Sequence, residues 1–191
     1  MSTVSIVGTG TMANAIGGVL AGGGATVEYL GRSEATDTVS GDIVILAVPF
    51  PSVTGILDRY RDQFAGKTVV DITNPLNFET FDSLTVPVGS SAAEVIAAQL
   101  PESRVLKAFN TTLAASLATK QIGPVQTTVL IAGDDSDAKS ALAALIEAGG
   151  VAAMDAGSLR RAHELEALGF LQLTLAATEK ITWTGGFGLI R

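Results

Sequence analysis

Short runs of β-branched and aliphatic residues alternate with longer amphipathic stretches along the chain. The pattern predicts strands over 4–7, 25–30, 42–48, 67–72, 104–108, 125–132 and 151–154. It predicts helices over 11–23, 49–64, 90–99, 113–118, 136–148 and 158 to about 183. Residues 32–41 are too few for a crossover helix, so a turn or a single helical turn is predicted there. The alternation predicts an α/β fold in one domain over 1–191, with a Rossmann-like, doubly wound, mainly parallel sheet and a long C-terminal helix.

The last predicted helix is the longest element. Its apolar residues lie near one face, at Leu159, Ala162, Leu165, Leu168, Leu171 and Leu175. Because that face exceeds what a small core needs, we expect residues 158–191, the helix and its tail, to take part in dimerisation. The Gly123-Pro124 pair is the one loop-like break in the sequence that suggests a sub-domain boundary.

A glycine-rich loop directly follows the first predicted strand. Residues 8–13, GTGTMA, fit the pattern G-x-G-x-x-G/A and open the first predicted helix. In this pattern Gly8 permits the tight turn, Gly10 lets a pyrophosphate approach the backbone, and Ala13 lets the helix pack closely on the sheet. Residues 1–27 carry no charged side chain, which suits a site that binds through backbone N–H groups and a helix N-terminus. The loop predicts a dinucleotide site, and the alternative is a glycine-rich turn kept for structural reasons.

The end of the second predicted strand decides between NAD and NADP. NAD-selective sites place a carboxylate there, whereas here Gly31 takes that position and Arg32 and Ser33 follow it. Arg32 can pair bidentately with a phosphate, and Ser33 and the Thr9 hydroxyl can donate hydrogen bonds to it. The competing carboxylate, Glu28, alternates with its neighbours in the strand and is expected to point away from the strand end. We predict NADP(H).

Composition narrows the function classes. The 191 residues include 12 Lys or Arg and 19 Asp or Glu, a formal net charge of −7, which disfavours nucleic acid as a partner. There is no Cys and one His, His163, so we expect no metal site, and we expect Asp134-Asp135 to start a helix instead. The apolar run over 167–178 is too short to span a bilayer. We expect a soluble, cytoplasmic protein with a small-molecule substrate.

A series of motifs spans nearly the whole chain. They lie at 8–13, 31–33, 47–49, 71–75, 91–94, 107–111, 132–134, 155–159, 164–166 and 185–188. In order and spacing they resemble the deazaflavin (coenzyme F-420)-dependent NADP oxidoreductase family, whose fold is shared by the cytoplasmic domain of the STEAP metalloreductases. The resemblance implies an oxidoreductase that binds NADP(H), exchanges hydride with a deazaflavin or flavin-like second substrate, and forms a homodimer held partly by the C-terminal helix.

The resemblance also implies a set of binding residues. The pyrophosphate loop corresponds to Gly8, Thr9, Gly10, Thr11, Met12 and Ala13. The 2′-phosphate site corresponds to Gly31, Arg32 and Ser33. The wall beside the nicotinamide ribose corresponds to Ala47, Val48 and Pro49. The loops beside the nicotinamide and the acceptor correspond to Asn74, Pro75, Asn110 and Thr111.

Some of these positions have other interpretations. Asn74-Pro75 is also a good turn, and Asn110 is also a good cap for the helix that follows. The connection between 32 and 42 is shorter than in the family, which trims one wall of the adenosine pocket.

The few titratable groups favour hydride transfer without acid–base catalysis, so no catalytic residue is assigned. A hydroxy-acid dehydrogenase would need a base, and His163 is expected at a solvated or interface position. An imine reductase would need a Lys, for which only Lys180 is on the last predicted helix. The alternatives are an NADPH-dependent ferric or flavin reductase and a non-catalytic NADP(H)-binding redox sensor.

Overall fold

A seven-stranded sheet with helices on both faces forms the centre of the molecule. The computed structural model describes residues 2–31 and 38–190, so most of the predicted turn at 32–41, with Arg32 and Ser33, lies outside the described residues. The strands are β1 (Thr3–Val7), β2 (Thr26–Leu30), β3 (Ile43–Leu46), β4 (Thr68–Asp71), β5 (Arg104–Lys107), β6 (Gln121–Ile122), β7 (Val125–Gln126), β8 (Thr128–Gly133) and β9 (Ala152–Gly157). The α-helices are α1 (Thr11–Gly22), α2 (Val53–Phe64), α3 (Ala92–Gln99), α4 (Ala114–Thr119), α5 (Ser136–Ala148) and α6 (Ala162–Ala177).

The sheet order confirms the predicted Rossmann-like class. The order is β2-β1-β3-β4-β5-β8-β9, and β1 to β5 are all parallel. β8 runs antiparallel to β5 and β9 runs parallel to β8, which makes the sheet mainly parallel. Since the carboxyl ends of β1 to β5 meet at one edge, the loops that follow these strands lie together there.

Alternate side chains of the central strands enter two separate cores. Ile45 and Val70 pack with α1, α4 and α5 on one face, whereas Val44 and Val69 pack with α2 and α3 on the other. Each fully buried aliphatic side chain of this kind stabilises the fold by roughly 1.5–3 kcal/mol relative to exposure. This two-sided burial explains why the central strands are continuous apolar runs.

The predicted strand over 125–132 is wrong as a single element. The structure divides it into β7, which pairs with β6 in a small hairpin, and β8, which joins the main sheet. The Gly123-Pro124 pair forms the hairpin turn, where Gly123 has φ +58°. Between the two strands, the Thr127 hydroxyl donates to the carbonyl of Ser116 at 2.8 Å, and this contact turns the chain from the hairpin into the sheet.

The last helix is shorter than predicted. A 3-10 turn at Leu159–Arg161 precedes α6, which ends at Ala177, and the chain then folds back. The backbone N–H of Phe187 donates to Oε1 of Gln172 at 3.2 Å, so the tail returns to the helix it left. Within the described ranges, no helix is both long and apolar enough to cross a membrane.

The buried face of α6 also differs from the predicted leucine face. Leu171 is 50% exposed, whereas Gln172 is 1% exposed. Polar and small residues are buried because α6 packs on amide and ammonium groups at the sheet edge, described below. The buried residues are Ala162, Leu165, Glu166, Gly169, Gln172 and Ala176.

Candidate active site

The glycine loop forms the tight turn that its sequence predicts. Gly8 has φ +125°, and a Cβ there would lie 2.2 Å from the carbonyl oxygen of Ala47 on the neighbouring strand. Gly10 caps α1 without any side chain bonded to the first N–H groups of the helix, and the space where its Cβ would stand is open. Asn14 Nδ2 donates to the carbonyls of Thr9 and Gly10, both at 3.1 Å, and so holds the loop. The free N–H groups suit a bound anion.

A cleft of about 480 Å³, which we call the loop cleft, opens beside this turn. It lies between the ends of β1, β2 and β3 and the first turns of α2. Its lining includes Gly8, Thr9, Gly10, Gly31, Ala47, Val48, Pro49, Gly55, Ile56 and Arg59.

Glu28 does not compete for a ribose in this cleft. It accepts hydrogen bonds from the Ser5 hydroxyl and from the backbone N–H and hydroxyl of Ser40, the latter two at 3.0 and 2.7 Å. Burial raises the pKa of Glu28, but the hydrogen bonds from Ser5, Ser40 and Gly41 outweigh it and lower the pKa below its ordinary value. Glu28 therefore points away from the strand end, as predicted.

Two further clefts continue along the same edge of the sheet. The central cleft, of about 470 Å³, lies between the glycine loop, Pro49, Thr73 and Phe78. The far cleft, of about 450 Å³, lies beyond it and is bounded by Phe109, Thr112, Leu113 and Trp183. Both clefts include Thr11, Met12, Ile72, Asn74 and Leu173. Of the described residues that line these two clefts, none has a titratable side chain.

Two asparagines stand side by side where these clefts meet α6. Asn74 Nδ2 donates to the carbonyl of Asn110 at 2.9 Å, and Asn110 Nδ2 donates to Asn74 Oδ1 at 3.0 Å and to the carbonyl of Leu165 at 2.8 Å. A Cβ on Gly169 would lie 2.3 Å from Asn74 Oδ1, so only glycine lets α6 approach this closely. Asn110 is not the cap of α4, whose cap position belongs to Leu113.

The backbone before Asn110 is strained. Phe109 is buried with φ +63°, and the N–H of Asn110 donates to the carbonyl of Ala108 at 2.8 Å across it. A non-glycine residue in this conformation costs on the order of 1–3 kcal/mol, and such strain gathers at functional sites. The turn presents Asn110 Oδ1, which, like Thr73 Oγ1, is buried with no hydrogen-bond partner in the described part of the chain.

Comparison with known proteins identifies the family of the chain. The family model for coenzyme F420-dependent NADP oxidoreductase matches residues 24–75. The F420-dependent NADP reductase of Methanocaldococcus jannaschii is 30% identical over 166 residues, which cover 85% of this chain and 74% of the relative. The chain belongs to the F420-dependent NADP reductase family. It is therefore an oxidoreductase of this family, as the sequence motifs predict.

Other relatives extend the comparison. Metalloreductase STEAP3 of Rattus norvegicus is 32% identical over 182 residues, which cover 86% of this chain and 36% of that protein. A crystal structure of a candidate F420-dependent NADP reductase from Arthrobacter sp. FB24 superposes with a TM-score of 0.84 at 24% identity, and each chain is fully covered. A hypothetical protein from Sinorhizobium meliloti has a TM-score of 0.69 at 28% identity over 83% of this chain and 86% of that one.

Most of the residues that the family resemblance implies line the three clefts. Pro75 and Thr111 are buried but are not among the lining residues, and Thr112 takes the place expected of Thr111. Arg32 and Ser33 lie outside the described residues, so their role stays a prediction. The implied residues that line a cleft are Gly8, Thr9, Gly10, Thr11, Met12, Ala13, Gly31, Ala47, Val48, Pro49, Asn74 and Asn110.

A buried ionic cluster holds the backbone next to Asn74. Lys107 Nζ lies 2.8 Å from Asp71 Oδ2 and 2.8 Å from Glu166 Oε1, and it donates at 2.5 Å to the carbonyl of Thr73. Glu166 Oε2 accepts the N–H of Ala92, at the start of α3, at 2.9 Å. Burial raises the pKa of Glu166 above its ordinary value despite the charge of Lys107. The cluster fixes the backbone that carries Asn74.

Two candidate bases of the rival enzyme classes lie elsewhere. Nδ1 of His163 is 3.0 Å from the carbonyl oxygen of Ser90, and His163 is absent from the lining of the three clefts. Lys180 is exposed and is likewise absent from these linings. Asp135 caps α5, its Oδ1 accepting the N–H of Ala138 at 2.8 Å, as expected for the Asp134-Asp135 pair.

Three residues at this edge of the sheet could not be predicted as functional from the sequence. Arg59 sits inside the predicted helix over 49–64 with no motif around it, although it lines the loop cleft. Lys107 and Glu166 are parts of matched motifs, but a spacing of 59 positions in the chain carries no sign that they pair. Only the fold brings them together.

Proposed function

We propose that this protein transfers a hydride between NADP(H) and a deazaflavin of the coenzyme F420 type. One observation carries the proposal: the central and far clefts adjoin the glycine loop, and none of their described lining residues is titratable. Such a lining can align two planar rings and exclude water, but it offers no general acid or base. Hydride transfer between a nicotinamide and a flavin-like ring is chemistry that suits this lining.

The loop cleft and its surroundings fit NADP(H). The open space above Gly10 and the uncapped start of α1 would hold the pyrophosphate. Ala47, Val48 and Pro49 would bound the nicotinamide ribose, and the nicotinamide would lie in the central cleft beside Asn74. The unpaired Thr73 Oγ1 and Asn110 Oδ1 would hydrogen-bond amide or ring N–H groups, which would remove the cost of leaving them buried alone.

The proposed reaction is balanced without a protein-bound proton. Bound NADPH would supply a hydride from its nicotinamide ring and become NADP⁺. The acceptor ring would take that hydride together with one proton from solvent. The chain's own part is positioning: Asn110 and Asn74 hold each other, and Phe109 and Leu113 supply apolar contact for a second ring.

Purified protein tests the proposal through NADPH oxidation, followed at the nicotinamide absorbance. Coenzyme F420, FMN, FAD, riboflavin and ferric chelates are offered in parallel, with NADH as the control donor. Fast oxidation with the deazaflavin alone supports the proposal. Tight NADPH binding without turnover on any acceptor would contradict it and leave an NADP(H)-binding redox sensor.

A second candidate is an NADPH-dependent ferric or flavin reductase. The observation that favours it is the 32% identity with metalloreductase STEAP3 over 182 residues. In the same assay, turnover with flavins or ferric chelates but not with coenzyme F420 would favour this candidate.

We also propose that Arg32 and Ser33 recognise the 2′-phosphate of NADP(H). Arg32→Ala is expected to weaken NADPH binding about tenfold or more, because one charge-assisted phosphate contact is worth roughly 1.5–3 kcal/mol. NADH binding should change little. Equal losses for both dinucleotides, measured by fluorescence titration, would refute the assignment.

A cytoplasmic homodimer also remains our prediction.

A further inference from the structure

Arg59 is a positively charged residue beside the loop cleft, and it belongs to no sequence motif. It lies on α2, is half-buried and lines the loop cleft with Gly8, Gly10 and Gly31. Its guanidinium carbon lies over the Tyr60 ring, 4.9 Å from the ring centre, which is within the range of a cation–π interaction. The loop cleft has no other charged residue in its described lining.

The Arg59 guanidinium is not satisfied within the described chain. Its Nη2 is buried and has no hydrogen-bond partner there, and no described carboxylate forms an ion pair with it. A buried donor left unpaired costs roughly 1–3 kcal/mol, and more when it is charged. The arrangement therefore lacks an acceptor, and the adjoining cleft is where one can enter.

The unsatisfied group selects an anionic oxygen ligand. The Tyr60 ring already provides an aromatic contact for the guanidinium, and what Arg59 lacks is an acceptor for its Nη2 donor, which an oxygen atom supplies better than a stacked base. Gly31, in the same cleft, directly follows β2, where the 2′ position of a bound adenosine ribose would lie. A phosphate is the strongest bidentate acceptor that a nucleotide offers a guanidinium.

We propose that Arg59 is a specificity-determining residue, which turns its guanidinium edge to the 2′-phosphate of NADP(H). The inference rests on the proposed use of the loop cleft for NADP(H). It adds a cation from α2 to the prediction made for Arg32.

Binding of two adenosine fragments tests the inference without turnover. Adenosine 2′,5′-bisphosphate and adenosine 5′-monophosphate differ only in the 2′-phosphate, so isothermal titration with both isolates that group. Arg59→Gln is expected to weaken bisphosphate binding about tenfold and to change monophosphate binding less than twofold. Arg59→Lys, which keeps the charge but loses the planar fork, is expected to fall between wild type and Arg59→Gln.

Arg61→Gln is the matched control. Arg61 lies on the same helix but lines a separate surface hollow with Asp62 and Pro101, so its removal is expected to leave both fragments unaffected. Circular dichroism and thermal unfolding check that each variant folds as the wild type does.

Three outcomes would overturn the inference. Equal losses of affinity for both fragments in Arg59→Gln would mean that Arg59 contacts the adenosine itself. Unchanged affinity for both fragments would mean that Arg59 does not contribute to binding. Binding of neither fragment to the wild type would overturn the inference and the proposed function together, whereas the first two outcomes leave the proposed function intact.

Discussion

At the residue scale, one residue without a side chain allows α6 to lie against the two asparagines of the site. Gly169 lies within α6 where the helix passes Asn74 and Asn110, and a Cβ there would lie 2.3 Å from Asn74 Oδ1 and 3.0 Å from Asn110 Nδ2. The two asparagines are held by each other and by the carbonyl of Leu165, so neither can move without losing hydrogen bonds. Gly169 therefore sets the distance between the helix and the clefts.

Gly169→Ala is expected to destabilise the protein by about 1–3 kcal/mol, because overpacking outweighs the gain in helix propensity. It should also lower turnover by displacing the asparagines. The control is Gly18→Ala in α1, where a Cβ would meet no atom within 4 Å and the same change should stabilise the protein by about 1 kcal/mol. Urea unfolding measures both, and equal effects at the two positions would show that close packing at Gly169 is not decisive.

Sequence reasoning at this scale succeeded where local backbone geometry dictates the residue. Gly8 and Gly10 lie in one turn between β1 and α1, and the glycine spacing together with the predicted strand before it and helix after it predicts that turn. Arg59 could not be found this way, because its importance comes from a cleft that it shares with Gly8, Gly10 and Gly31, which are distant from it in the chain. Asn110 lay in a recognised motif, but its pairing with Asn74 required the contact between β4, β5 and α6.

At the scale of elements, one buried ionic cluster joins β4, β5, α3 and α6. Lys107 on β5 bonds to Asp71 on β4 and to Glu166 on α6, and Glu166 accepts the first N–H of α3. A cluster with two carboxylates and one ammonium group carries an excess negative charge, which the N-terminus of α3 partly offsets. Removing one partner of such a buried pair typically costs about 3–5 kcal/mol, whereas protonating the surplus carboxylate does not break it.

The raised pKa of Glu166 makes this cluster sensitive to pH. Because the folded pKa exceeds the ordinary value of 4.5, the contribution of Glu166 to stability is fully present below 4.5 and is lost as pH rises through the folded pKa. Between pH 4.5 and the folded pKa of Glu166, the free energy of unfolding of the wild type should therefore fall relative to that of Glu166→Gln. Above the folded pKa the difference should level off. Urea unfolding of both proteins from pH 4 upward measures the difference.

The control for this titration is Glu164→Gln, which lies two residues before Glu166 on α6. Glu164 pairs with Arg161 at 2.9 Å, and the two side chains are 54% and 44% exposed, so the pair contributes little and should give a nearly flat difference. A wild type that gains on Glu166→Gln as pH rises would show that the pKa of Glu166 is lowered instead.

The elements themselves were well predicted where burial is two-sided. Continuous apolar runs such as Ile43–Leu46 indicate a central parallel strand with little ambiguity. The run over 125–132 misled because its first residues pair in a hairpin and its last ones in the main sheet, and a β-branched composition is the same in both. The face of α6 misled because its partners are polar, so Glu166 and Gln172 are buried and Leu171 is not.

At the scale of the whole molecule, the C-terminal part exposes apolar side chains. Leu171 is 50% exposed, Trp183 56% and Ile190 86%, and Phe187 and Leu189 are also exposed. Apolar side chains gathered in one region of a surface often mark an interface between proteins. We therefore keep the prediction that residues 158–191 form a homodimer contact.

Sedimentation velocity is expected to show twice the mass of one chain, and Leu171→Glu combined with Ile190→Asp is expected to shift the protein towards the monomer. Each change would bury a charge in the contact without touching the core. Val88→Asp is the comparison variant, because Val88 is fully exposed in the loop between β4 and α3. A dimer that Val88→Asp disrupts and the C-terminal pair does not would place the interface elsewhere.

The lining of the central and far clefts also has a kinetic consequence. If no described side chain there gives or takes a proton, the transferred hydrogen never passes through an exchangeable site. With a deazaflavin acceptor, deuterium at the transferred position of NADPH should appear quantitatively as the carbon-bound hydrogen of the reduced ring, and heavy water should label only its exchangeable N–H. With chemistry rate-limiting, turnover should slow with the labelled nicotinamide and be nearly indifferent to the isotopic composition of the solvent.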